Sequence, residues 1–131
     1  MSSIEIRGVK PKETVKLLIV DDHPLIRHSI CSILYDYSSI NLIGEAENGI
    51  QAVKRSKSLK PDVILMDIEM PGIDGIEATR IIKRKQTNVK IIGFSNHADP
   101  SIAQKMLEAG ADSFLTKNCS LEKLIDTIKG D

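Results

Sequence analysis

At 131 residues the chain is long enough for one domain whose core needs neither disulfides nor a structural metal, and too short for two. Its 18 Lys and Arg balance its 18 Asp and Glu, so the net charge is zero and nothing in it argues for nucleic acid or an anionic membrane as the partner. Cys31 and Cys119 lack the spacing of a zinc site or a redox pair, and there is neither an apolar run of about 18 residues nor a signal-peptide pattern. A reduced, cytoplasmic setting is therefore expected.

Residues 1–14 mix charges with a glycine and a proline without any period, which reads as a flexible N-terminal extension ahead of a domain spanning 15–131. The apolar run Val15–Val20 predicts a buried strand and ends in the acids Asp21 and Asp22. Pro24 suits the first turn of a helix in which Ile26, Ile30, Ile33, Leu34 and Tyr37 recur at helical spacing. Ile40–Glu45 is a shorter strand, followed by a helix capped by Asn48 with Ala52, Val53 and Leu59 inward and stopped by Pro61.

The central stretch is VILMDIEMPGIDG, Val63–Gly75. Four apolar residues predict a strand buried on both faces that delivers Asp67 at its end. Pro71 and Gly72 then turn the chain, and Asp74 with Glu77 three residues on signals a capped helix over residues 75–85. A fourth strand, Val89–Phe94, ends at Ser95. Asp99 and Pro100 open a helix with Ile102, Ala103, Met106 and Leu107 on one face and Gly110 as its stop. Ser113–Thr116 is a fifth strand ending at Lys117, and Ser120 caps a last helix with Leu121, Leu124, Ile125 and Ile128 inward.

Strands alternating with helices call for an α/β fold, a mostly parallel sheet covered on both faces, because each parallel crossover needs a helix to return the chain. Such sheets bind ligands at the carboxyl ends of their strands, where Asp21, Asp22, Asp67, Ser95 and Lys117 all fall. Three carboxylates in one cleft repel each other and stay ionised most easily around a divalent cation. An oxygen-only set suits Mg2+ better than Zn2+. Lys117 and Ser95 would be surplus to a plain metal site; with a cation they suit a phosphoryl group, whose oxygens must be neutralised before a carboxylate can attack phosphorus.

The motifs IVDDHP (19–24), ILMDIEMPGIDG (64–75), IIGFSN (91–96) and GADSFLTK (110–117) resemble the receiver domain of two-component response regulators over about residues 15–129. DDHP, GEAENG and GADSFLTK most resemble receivers of LuxR-type (NarL/FixJ-like) transcriptional regulators. The resemblance implies a five-stranded parallel, doubly wound sheet of flavodoxin-like, CheY-like order 2-1-3-4-5 with five helices. It implies a phosphorylation-dependent switch rather than a turnover enzyme. In it Asp67 would accept the phosphoryl group from a sensor histidine kinase, and Asp21, Asp22 and the Glu69 backbone carbonyl would complete the Mg2+ site with Asp67. Lys117 would pair with a phosphoryl oxygen, Ser95 would close on the phosphoryl group, and Phe114 would be the aromatic switch residue. Phosphorylation would change an output face around the fourth helix, fifth strand and fifth helix, or one including the first helix. The expected consequence is self-association, as a homodimer, and control of transcription through a domain outside this sequence.

Some positions depart from the family pattern. Asn118 follows Lys117 where many members have a cis proline, so a trans peptide or a strained loop is expected. Asn96 stands where Ala or Gly is common, and Glu69 and His97 occupy positions that tune the attacking water, which together point to slow autodephosphorylation. Other readings have specific weaknesses. A haloacid dehalogenase-type hydrolase needs a second aspartate where His23 stands, a flavodoxin-like nucleotide binder would not place acids after its first strand, and a silent binding module has no use for the acid and lysine set. Phe114 also reads as plain packing, and His23, His28 and His97 have no ligand spacing.

Overall fold

A computed structural model of the chain describes residues 14–130. Apart from Thr14, the expected N-terminal extension lies outside the described residues. The elements are β1 (Val15–Val20), α1 (Pro24–Tyr35), β2 (Ile40–Ala46), α2 (Gly49–Leu59), β3 (Val63–Asp67), α3 (Gly75–Lys85), β4 (Lys90–Ser95), α4 (Pro100–Ala109), β5 (Ser113–Thr116) and α5 (Leu121–Lys129). All strand pairs are parallel and the order is β2-β1-β3-β4-β5, as the resemblance implied.

Side chains alternate across the central strands, and each set finds its own core. Leu18, Val20, Ile64 and Met66 face one way, packing with Ala52 of α2, Ala78 and Ile82 of α3 and Met106 of α4. Leu17, Ile19, Val63 and Leu65 face the other, against Ile30 and Leu34 of α1 and Leu124, Ile125 and Ile128 of α5. Burying each of these aliphatic chains contributes about 1.5–3 kcal/mol before ordering costs, so the central strands anchor both cores.

Helix starts follow the expected chemistry: the side chains of Asn48, Asp74 and Ser120 accept the amides of Gln51, Glu77 and Lys123. The box at Asp74 is one-sided, because the Glu77 carboxylate turns to Arg80. Gly72 takes φ +77° in the turn before α3, and Gly75 lets that helix sit against β3, since a Cβ there would lie 2.2 Å from the Asp67 carbonyl oxygen. Four residues expected inward are exposed at the surface: Ile33 (45%), Leu59 (37%), Leu107 (47%) and Leu121 (40%). In α1 and α4 the centre of the buried stripe is taken by Ile30, Leu34, Met106 and Ala109, which leaves Ile33 and Leu107 about 100° round the helix from their buried neighbours. The Lys117–Asn118 peptide is trans, since the described residues contain no cis bond.

Candidate functional site

The sheet brings its polar residues together at one rim. Asp21 directly follows β1, Asp67 closes β3 and Ser95 closes β4, and all three are buried. Lys117 follows β5, and its amide donates to the Ser95 carbonyl at 2.7 Å, so the loop after β5 is tied to the end of β4. The Lys117 ammonium then reaches across the rim, donating to Asp21 Oδ2 at 2.9 Å and lying 3.2 Å from Asp67 Oδ1. Beneath it, 5.9 Å away, is the centroid of the Phe94 ring. Three chain segments separated by dozens of residues thus meet in one ion cluster.

The turn after β1 is held by its own side chains. The His23 amide donates to Asp21 Oδ1 at 2.8 Å, and His23 Nδ1 lies 3.1 Å from both Asp21 Oδ1 and Asp22 Oδ1. Only the contact with Asp21 has hydrogen-bond geometry, and Asp22 Oδ1 is left buried without a donor. Asp67 Oδ2 is in the same condition. One ligand atom each from Asp21, Asp22, His23 and Asp67 lies within 4.8 Å of the others. Two buried carboxylate oxygens with no protein partner, in a mainly oxygen donor set, are what a small hard cation would satisfy, so these residues fit Mg2+.

Charge sorts the carboxylates. Burial acts to raise the pKa of Asp21, but the His23 amide and the Lys117 ammonium outweigh it and hold Asp21 below the usual carboxylate value. Asp67 goes the other way: burial first, then the neighbouring Asp21 charge, push it up to about 7 despite Lys117. Burial opposes the charge on Lys117 as well, yet its bond to Asp21 and the charge of Asp67 raise it above the ordinary lysine value. Asp67 is therefore the acid whose ionisation most depends on an added positive charge.

The remaining expected residues are placed less directly. Ser95 Oγ accepts the His97 amide at 3.2 Å, while Glu69, Asn96 and His97 are exposed in the loops around the rim. Phe114 is half-buried and packs with the core cluster of α3 and α4. Beside the rim runs a groove of about 570 Å3 between α1 and α5, bordered by Leu25, Ile33 and Leu121 and reaching Asn96 and Lys117. Leu25 at its edge is 79% exposed.

Residue-pattern reasoning passed over Arg27 and Glu45. Arg27 is buried in the stripe of α1 with Ile30 and Leu34; its Nη1 donates to the Asp21 carbonyl at 2.6 Å and its Nε to Glu45 Oε1 at 2.8 Å. The available signal was spacing, because Arg27 sits three and seven residues before two inward aliphatics.

Comparison with known proteins agrees with this geometry. The family model for the response regulator receiver domain matches residues 17–129. The response regulator UvrY of Escherichia coli is 41% identical over 115 residues, covering 88% of this chain and 53% of UvrY. GacA of Pseudomonas aeruginosa is 37% identical, covering 88% of this chain and 54% of GacA, so the chain spans about half the length of the curated relatives it matches. A LuxR-family two-component response regulator from Aurantimonas superposes with a TM-score of 0.86 at 30% identity, over 90% of this chain and 84% of that one. The signal receiver domain of NarL from Mycobacterium tuberculosis gives 0.82 at 32%, over 91% and 99%. Among the described residues no helix is long and apolar enough to cross a membrane.

Proposed function

Because this chain belongs to the response regulator receiver domain family, we propose that it is a phosphoacceptor switch in which Asp67 takes a phosphoryl group from a sensor histidine kinase in the cytoplasm. The observation that carries this reading is the Asp67 carboxylate itself: buried, held by Lys117 through one oxygen, with the other oxygen unpartnered beside Asp21 and Asp22. A structural acid would have both oxygens satisfied.

Asp21, Asp22 and Asp67 would hold Mg2+ with the Glu69 carbonyl, and the bound ion supplies positive charge to the phosphoryl oxygens. Lys117 lies against Asp67 and offers a second cation to those oxygens, and together with the bound ion it would favour the carboxylate form that the burial of Asp67 resists. An Asp67 oxygen forms the O–P bond as the P–N bond to the donor imidazole breaks; the imidazole keeps the electron pair and takes up a proton. The groove between α1 and α5 suits the apolar side of a donor helix, because it ends at Asn96 and Lys117 on the rim.

Phosphorylated Asp67 adds negative charge and acceptor oxygens at one strand end, for which the Ser95 hydroxyl and Lys117 are the donors at hand. A Ser95 that leaves the His97 amide for the phosphoryl group would couple, as the family resemblance implies, to a turn of Phe114, and the face carrying Phe114 and the exposed Leu107 would change with it. Self-association and transcriptional output follow from that face.

Incubation with acetyl phosphate and Mg2+ should add one phosphoryl group to the intact mass, and chelation of the metal or Asp67→Asn should prevent it. Absence of any mass gain in the unaltered protein overturns the reading. Gel filtration with beryllofluoride tests the output step, and an unchanged elution volume counts against self-association.

A further inference from the structure

We propose that Arg27 and Glu45 form a positioning pair that sets the backbone of the acidic turn for the cation, an inference resting on the metal-site reading above. Asp21 lies outside the sheet ladder, buried, with its amide donating to the Ala46 carbonyl at 3.0 Å. Its carbonyl takes the Arg27 Nη1 at 2.6 Å, and the same guanidinium is aimed by Glu45 through Nε at 2.8 Å. Glu45 is in turn fixed to the sheet as the penultimate residue of β2, and its carbonyl accepts from Arg55 of α2. The β1–α1 turn is therefore braced from α1, β2 and α2 at the peptide that joins the two acids.

The brace adds to the turn's own contacts, in which His23 bonds the Asp21 carboxylate, by fixing the Asp21 carbonyl instead. The helix that follows opens on Pro24, and its cap residue His23 makes no side-chain capping bond. A planar fork can address the carbonyl and the carboxylate at once, which the single ammonium of lysine cannot do in the same geometry. Residues that orient metal ligands typically change metal affinity about ten- to a hundredfold when replaced. Arg27 also brings a positive charge toward the cluster, which on its own would weaken cation binding, so the two roles predict opposite signs.

The test uses the full chain with Arg27→Lys, Arg27→Met and Glu45→Gln. Mg2+ dissociation constants are measured by calorimetry, and hydrogen exchange at the His23 amide is followed in metal-free protein. Positioning predicts a dissociation constant raised about tenfold in both Arg27 variants, a smaller rise in Glu45→Gln, and faster exchange at His23 in all three. Wild-type or tighter Mg2+ binding in the Arg27 variants, the signature of a charge effect, overturns the proposal, as does unchanged exchange at His23. Should Arg27→Met fail to fold, Arg27→Lys and Glu45→Gln decide the matter. The exchange arm needs no metal, so a wild-type chain that binds no Mg2+ would sink the metal-site reading while the brace is still judged on its own.

Discussion

The two ends of this sheet treat their acids in opposite ways. At the amino ends, Asp62 Oδ2 accepts the Lys16 amide at 2.8 Å, and Asp112 Oδ2 accepts the Ile91 amide at 2.9 Å with Lys83 3.4 Å away. Both are exposed, and each accepts the amide of the second residue of a neighbouring strand. At the carboxyl ends, Asp21 and Asp67 are buried, and one oxygen each of Asp22 and Asp67 has no donor. The first arrangement stabilises the fold; the second stores unfavourable negative charge that a cation can relieve.

Removing the cation that serves two buried carboxylates should break the contrast most. Lys117→Met is expected to destabilise the metal-free protein by about 3 kcal/mol in urea titrations at pH 8, with added Mg2+ restoring part of the loss. The opposite sign is expected for Asp67→Asn. The folded protein keeps the Asp67 proton up to about pH 7, whereas the unfolded chain releases it near 3.8, so this carboxyl costs stability progressively as pH rises between those values. Asp67→Asn should therefore be neutral near pH 4 and stabilising above pH 7 by about 2 kcal/mol after allowance for solvent at the rim, measured by thermal melts without metal.

At the other pole the sign reverses again. Asp112→Ala should destabilise by about 1–2 kcal/mol, through the lost acceptor for Ile91, while leaving Mg2+ affinity untouched in calorimetry. The smallest effect is expected in the loops. Asn96→Ala with Glu69→Asn should shorten the lifetime of the phosphorylated state severalfold, which is about 1 kcal/mol or less in the barrier, as followed by intact mass after removing the donor.

Much of this organisation was legible in the residues because apolar runs and single polar residues alternate so plainly. Leu17–Val20 and Val63–Met66 had to be buried strands, and Asp21 and Asp67 at their ends had to share an edge once the sheet was parallel. Lys117 could be assigned to that edge, although its contact with Asp21 spans 96 residues and no local pattern encodes it. Reasoning by period fails where the buried stripe is narrower than expected: α5 buries the adjacent Leu124 and Ile125, whereas α4 buries Met106 and Ala109 and leaves Leu107, one step round from Met106, at the surface. Arg27 failed for the converse reason, since a charged residue on an apolar stripe is ordinarily assigned to solvent, and its partner Glu45 lies in another element.

One-sided placement of the reactive atoms also makes the molecule easy to handle. The turn around Thr87 and Asn88 sits past α3, at the far pole from Lys117 and the acids. A dye or a surface tether attached there would hang the protein by the end away from its acids, leaving the groove between α1 and α5 and the acidic rim open to solution.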